Sequence, residues 1–115
     1  KEFVLSGSIA YNSQKSSIYI TNIDYKNKED NTIYEEIECI LYETYNNTET
    51  KISTKKENNT SIEKFLKELS FHIDNYKTHC KEYTNNSLYL EINAKKIEDK
   101  ITKYKVPLSL DDKCK

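Results

Sequence analysis

The stretch from 33 to 45 reads IYEEIECILYETY, and it decides the fold class because its apolar residues alternate with the period of a β-strand. One face of this strand would carry Ile33, Ile37, Cys39 and Leu41, and the other would carry Tyr34, Ile40 and Tyr42. A partly apolar second face fits either a partner surface or tyrosines that lie across a sheet. We predict that 33–45 is the longest strand of a mostly β protein.

Period-two alternation predicts further strands on both sides of this stretch. Ile18 and Ile20 share a parity that Ile23 and Tyr25 break, so we expect a β-bulge near Asn22. The remaining predicted strands are 2–11, 17–25, 49–56, a short one that begins at Phe71, 87–95 and 100–110.

Two of these strands are expected at sheet edges. The Asn46-Asn47 turn leads into 49–56, which is poor in apolar residues and charged, as protected edges often are. Pro107 cannot donate a ladder hydrogen bond, so 100–110 should be an edge strand or should end there.

One amphipathic helix is predicted between these strands. Thr60 and Glu63 have the spacing of a capping box, with Thr60 as the N-cap. The apolar residues that follow recur at i, i+3, i+4 and i+7, which places them on one stripe that would face the core. They are Ile62, Phe65, Leu66 and Leu69.

The 115 residues fit a single domain, 1–115, without a linker or an internal repeat. About seven strands and one helix predict a mostly β (α+β) fold. Such a chain can form an antiparallel partial barrel whose inner face is apolar.

Composition argues against nucleic-acid binding and against catalysis. All 18 basic residues are lysines and the net charge is -1, so the chain has neither guanidinium forks nor a basic surface. A single glycine excludes a Gly-rich phosphate loop. Neither His72 and His79 nor the acidic group Glu35, Glu36 and Glu38 has catalytic or metal-ligand spacing. We expect no enzymatic activity, no cofactor and no metal.

The three cysteines fall into two groups. Cys39 shares the apolar parity of 33–45, which favours a small buried residue over a bridge. Cys80 and Cys114 lie in the polar segments THCKEY and DDKCK, where exposed thiols are a liability unless they are paired. We predict a Cys80–Cys114 disulfide, with two free thiols as the open alternative. The bridge would contribute roughly 3–4 kcal/mol.

Four stretches of the chain carry a family resemblance: SGSIAYNSQKSSIYITNIDY (6–25), IYEEIECILYE (33–43), SIEKFLKELSFHI (61–73) and YKVPLSLDDKCK (104–115). In the order of its elements and in its near-terminal cysteine, the chain resembles the small membrane-anchored partners of ToxR-like regulators. These are the FidL-like, PsaF/MyfF-like, ToxS-like and VtrC-like proteins, several of which serve virulence signalling.

The resemblance implies a periplasmic domain of a single-pass inner-membrane protein, so we expect a membrane anchor, or a cleaved signal peptide, before Lys1. It also implies that the domain binds and stabilises the periplasmic domain of a ToxR-like, membrane-tethered transcription activator as a 1:1 heterodimer. Because some relatives hold bile-type lipids in a lipocalin-like barrel, it implies a lipocalin-like partial barrel and a bile-salt or lipid ligand here. An apolar pocket between helix and sheet would be lined by Phe65, Leu69, Leu88, Leu90 and Ile92.

A partial barrel leaves a strand edge that a partner can extend by β-augmentation. The first strand has no charged guard between Phe3 and Ile9, so we predict the partner edge at Phe3, Leu5 and Ile9, or at the last strand near Val106. The alternatives are an Ig-like surface or pilus domain and a stand-alone lipocalin-like carrier. The capped helix and the absence of tryptophan count against the Ig-like fold.

Overall fold

The computed structural model describes residues 3–11, 16–73, 87–96 and 101–107. Within them the fold is mostly β with one helix, as predicted, and it consists of two antiparallel sheets that do not close into a barrel. One sheet has the order β1-β2-β5 and the other has the order β4-β3-β6-β7. The elements are β1 (Phe3–Tyr11), β2 (Ser16–Tyr25), β3 (Tyr34–Tyr45), β4 (Thr48–Thr60), α1 (Ile62–Glu68), β5 (Phe71–Ile73), β6 (Leu88–Lys95) and β7 (Ile101–Pro107).

The tightest strand-to-strand connection in the described chain joins β3 to β4. Tyr45 pairs with Thr48, so only Asn46 and Asn47 lie in the loop, and both have positive φ, 52° and 62°. Two positive φ values suit a two-residue hairpin, and asparagine tolerates this region better than most residues. The predicted turn is confirmed. However, β4 extends to Thr60 and has 13 residues against 12 in β3, so the prediction that 33–45 is the longest strand is wrong.

The bulge predicted near Asn22 is present in β2. Leu5 pairs with Ile23 but Ser6 pairs with Thr21, which leaves Asn22 as the extra residue. Because the bulge shifts parity by one, Ile18, Ile20, Ile23 and Tyr25 are all buried although they do not alternate strictly.

At the start of β3 the structure corrects two assignments. Ile33 was expected on the core face, but it is 63% exposed, because the strand begins only at Tyr34. Tyr34 was expected on the second face, but it is buried in the core cluster at the start of the ladder, where it pairs with Thr60.

The helix has the predicted stripe but not the predicted cap. Ser61, not Thr60, is the N-cap, and its hydroxyl accepts the Lys64 N–H at 3.3 Å. Thr60 is not available as a cap because it is still paired to Tyr34 as the last residue of β4. The capping box with Glu63 is therefore wrong, whereas the whole apolar stripe from Ile62 to Leu69 is buried.

The core lies between the two sheets, with α1 against β2 at one side. Directly opposed residues share a face, so the ladders give apolar rows across β3, β6 and β7. One row is Cys39–Ile92–Tyr104 and the next is Leu41–Leu90–Val106. All of these are buried except Tyr104, which is partly buried.

One carboxylate in the loop between the two sheets, that of Asp30, accepts two hydrogen bonds. Asp30 accepts a hydrogen bond from the Tyr25 hydroxyl at 2.7 Å and another from the Thr32 N–H at 3.1 Å. These two donors, the Tyr25 hydroxyl above all, hold the pKa of Asp30 below its usual range because they favour its charged form. The Tyr25 bond therefore ties this loop to the last residue of β2.

Candidate interaction edges

The two sheets present three long outer strands, and these are the candidate sites for a partner strand. They are β1 in the three-stranded sheet and β4 and β7 in the four-stranded sheet. The fourth outer strand, β5, has only three residues. An outer strand offers unpaired N–H and C=O groups, so its length and its charge decide whether another chain can pair with it.

The β4 edge is protected, as predicted from its charges. Lys55, Lys56 and Glu57 follow one another in an exposed stretch, and Lys56 lies 3.8 Å from Glu36 of the neighbouring strand. A bulge at Ile52 interrupts the ladder, because Leu41 pairs with Ser53 while Tyr42 pairs with Lys51. Charges and bulges are the two common devices that keep an edge from pairing.

The β7 edge is partly protected. The strand carries two lysines. Lys103 Nζ lies 2.9 Å from Glu91 Oε1 and Lys105 Nζ lies over the ring of Tyr89, so both head groups contact β6. Val106, which we predicted at the partner edge, has its side chain in the core with 6% exposure. Pro107 is the last residue of β7 and lies at the sheet edge, as its missing N–H predicted.

The β1 edge has no charged residue along its nine positions, FVLSGSIAY. The predicted partner-edge residues Phe3, Leu5 and Ile9 lie opposite Tyr25, Ile23 and Ile18 in the ladder with β2. Within the described residues, no ladder forms on the other side of β1. Among the long outer strands of the described chain, β1 is therefore the one that carries no charge of its own.

The two predicted edges, β1 and β7, lie next to each other. They make local contacts, but no ladder joins them in the described part of the chain. The sequence placed them only as alternatives, because nothing local in it indicates which strands of the two sheets adjoin.

The second apolar face of β3 carries a small aromatic cluster. Tyr42 and Tyr89 are cross-strand neighbours whose ring centroids lie 5.2 Å apart, and Lys105 Nζ lies 4.3 Å from the centroid of Tyr89. The Tyr89 hydroxyl donates a hydrogen bond to Glu49. Burial raises the pKa of Tyr89, and its bond to Glu49 raises it further. Tyrosines lie across the sheet on this face, as one of the two interpretations predicted, and a partner surface there stays a prediction.

A buried carboxylate closes one end of the core face of β3, and the sequence analysis missed it. Glu43 is 3% exposed and pairs with Leu88. Glu43 makes a polar or electrostatic interaction within the protein. The signal was present, because Glu43 has the same parity as Ile37, Cys39 and Leu41.

An open polar groove of about 400 Å³ lies at the other end of the same sheet. Two carboxylates, two amides and one amine line it, and Asn59 among them has a positive φ of 53°. The lining residues are Glu35, Glu36, Asn58, Asn59 and Lys95.

All five residues of the predicted apolar pocket lie in one hydrophobic cluster. Leu88, Leu90 and Ile92 of β6 are buried, as are Phe65 and Leu69 of the helix region. The structure therefore brings the set together, and a ligand among them stays a prediction.

Cys39 is buried and free, in agreement with its assignment as a small core residue. Burial, with a smaller effect from Glu38, raises the pKa of its thiol to about 12, so the thiol is protonated and unreactive at neutral pH. The predicted disulfide partners Cys80 and Cys114 lie outside the described residues.

Over the described ranges, no group of three or more His, Cys, Asp or Glu side chains is placed to hold a metal ion. The same ranges contain no helix with the length and apolarity that a membrane span requires. Comparison with protein-family models, curated proteins and solved structures finds no match to this chain.

Proposed function

We propose that this domain is the periplasmic accessory subunit of a ToxR-like, membrane-tethered transcription activator. It binds the periplasmic domain of the activator as a 1:1 heterodimer and stabilises it, and it is carried by a single-pass inner-membrane protein. The function of such a subunit is recognition and not catalysis. The proposal follows from the family resemblance of the sequence and from one feature of the fold.

That feature is the unprotected β1 edge. The β4 edge carries charges and a bulge, and β7 carries two lysines and a terminal proline, but β1 has nine uncharged residues and a ladder on one side within the described chain. A partner strand that pairs with β1 satisfies its exposed N–H and C=O groups. This arrangement supports β-augmentation at Phe3, Leu5 and Ile9.

The position of β7 beside β1 adds to the surface available to the activator. A segment that pairs with β1 can also cover the exposed side chains of β7, including Ile101, which is 59% exposed. Strand pairing together with this flank would bury at least about 1,000 Å², which a specific complex requires.

Co-purification with the activator tests the proposal. The chain is expressed with the periplasmic domain of a ToxR-like membrane-bound regulator from the same genome, and each protein is also prepared alone. We expect a 1:1 complex and a higher melting temperature of the regulator domain in it. Leu5→Pro, which introduces a residue without an N–H into β1, should abolish the complex.

Lys55→Pro is the matched control, because it puts the same residue into the protected β4 edge. It should leave the complex intact, and circular dichroism must show that both variants are folded. If the well-folded wild-type chain stays separate from the regulator domain and leaves its melting temperature unchanged, the proposed function is wrong.

A further inference from the structure

The sequence of β1 is symmetric in residue type about Gly7. Two serines flank the glycine, two aliphatic residues follow on each side, and the ends are both aromatic. Read outwards from Gly7, the matched positions are Ser6 with Ser8, Leu5 with Ile9, Val4 with Ala10 and Phe3 with Tyr11.

We propose that β1 pairs with β1 of a second copy of this chain, antiparallel and about a two-fold axis at Gly7. A two-fold interface must be self-complementary, because each residue i that contacts residue j in the partner is matched by j contacting i. Self-pairing in this register puts aromatic residues opposite aromatic residues, aliphatic opposite aliphatic and serine opposite serine. The product is one continuous sheet with the order β5-β2-β1-β1-β2-β5.

Gly7 suits the position on the axis, where a residue lies opposite its own copy at about 4.5–5.5 Å between Cα atoms. It is the single glycine of the sequence. In the ladder of its own sheet it lies opposite Ile20, which is buried.

The other two long edges lack this symmetry. Antiparallel self-pairing of β7 about Tyr104 would put Lys103 opposite Lys105 twice, and like charges directly opposite each other are destabilising. Self-pairing of β4 about its central Thr54 would put Ile52 opposite Lys56. The symmetry and the absence of charge therefore coincide only in β1 among these three strands.

This inference goes beyond the proposed function, and it uses the same edge. A second copy and the activator cannot both pair with β1, so the two complexes exclude each other, and self-pairing covers the edge when no activator is present. A nine-residue ladder is at the small end of specific interfaces, so we expect a reversible dimer with a Kd of roughly micromolar order.

The test uses charges placed at Ser6 and Ser8, which would lie opposite each other across the axis. In the ladder with β2 they pair with Thr21 and Tyr19, positions that alternate with the buried residues of β2 on its core face. The double variant Ser6→Lys/Ser8→Lys opposes lysines at both pairs. The double variant Ser6→Lys/Ser8→Glu opposes a lysine to a glutamate at both pairs, at the same two positions.

Sedimentation equilibrium of the 115-residue chain alone, from about 1 to 500 μM, measures the dimer constant. We expect the wild type to dimerise, the Lys/Lys variant to weaken the dimer at least about fivefold, and the Lys/Glu variant to match or exceed the wild type. A wild type that is monomeric throughout, or equal dimer constants for the two variants, would overturn the proposal.

Circular dichroism shows whether both double variants are folded. If either variant is unfolded, the single variant Ser6→Lys, which opposes a lysine to a serine, is measured in its place and should also weaken the dimer. Since no activator is present in this experiment, a negative result does not contradict the proposed heterodimer. Equally, a chain that dimerises but ignores the regulator domain would refute only the proposed function.

Discussion

Truncation of Phe65 to alanine removes a ring that packs between α1 and the sheets. The side chain is 6% exposed and belongs to the main core cluster, so nearly all of its apolar surface is lost from the core. Buried Phe→Ala changes cost about 3–5 kcal/mol, and the better helix propensity of alanine offsets about 0.5 kcal/mol. We expect a loss of about 3–4 kcal/mol from a domain stability of about 5–15 kcal/mol.

Urea unfolding followed by circular dichroism measures this loss. With an m value of about 1.5 kcal/mol/M, the midpoint should fall by about 2 M. Leu69→Ala should cost about 2–3 kcal/mol, because Leu69 is buried at the end of the same stripe. Lys64→Ala is the matched control: Lys64 is exposed, and alanine keeps the N–H that Ser61 accepts, so the change should stay within about 0.5 kcal/mol.

If Phe65→Ala is too unstable to purify, Ile62→Val reports on the same contact at about 0.5–1.5 kcal/mol, since Ile62 is 1% exposed. The packing of α1 described above is refuted if Phe65→Ala and Leu69→Ala both behave like Lys64→Ala. In that case the helix would not cover the core in solution.

Three further predictions concern thiols, pH and ligand. Alkylation of the native protein without reductant should label no cysteine, and unfolding should expose Cys39 alone; two labelled thiols in the native state would rule out the Cys80–Cys114 bridge. Asp30→Asn should cost about 1–2 kcal/mol at pH 7, because the Tyr25 hydroxyl loses a charged acceptor. Since the folded pKa of Asp30 is lowered, its contribution is complete above the unfolded pKa and is lost as the pH falls below about 4, so urea midpoints of wild type and variant should converge near pH 2. Calorimetry with bile salts should show heat of binding to the domain or to its complex with the activator, and no heat in either would remove apolar-ligand sensing from the proposed function.

Local sequence patterns predicted those parts of the fold that depend on neighbouring residues. The parity break between Ile20 and Ile23 was sufficient to predict the bulge at Asn22, because a one-residue insertion is what keeps both isoleucines in the core. The helix stripe was equally clear, since four apolar residues at helical spacing have no other common face.

Competition between elements explains two errors. Thr60 and Ser61 are both good N-cap residues. Ser61 caps the helix because Thr60 pairs with Tyr34 and so belongs to the strand. Ile33 has the parity of the core residues of β3 but precedes the first ladder pair. Parity alone carries no information about where a ladder begins.

The strand order within the sheets was beyond local reasoning. Nothing near β2 indicates that it pairs with β5, and nothing near β3 indicates β6, because these pairs depend on the global arrangement of the core. For the same reason the sequence could identify β1 as an unguarded strand but not its position beside β7. The resemblance predicted the kind of partner, and the lack of charge along β1 favours this strand as the place where the proposed partner would bind.

The order in which the chain visits its two sheets has a consequence for biosynthesis. The first two strands build one sheet, the next two begin the other, β5 returns to the first, and β6 and β7 complete the second. Neither sheet is finished by a contiguous segment, so the apolar row of β3 at Cys39 and Leu41 has no partner on its β6 side until Leu88–Lys95 has been synthesised. While residues 46–87 are synthesised, a nascent chain thus exposes this row to aggregation, and a chaperone is expected to bind there.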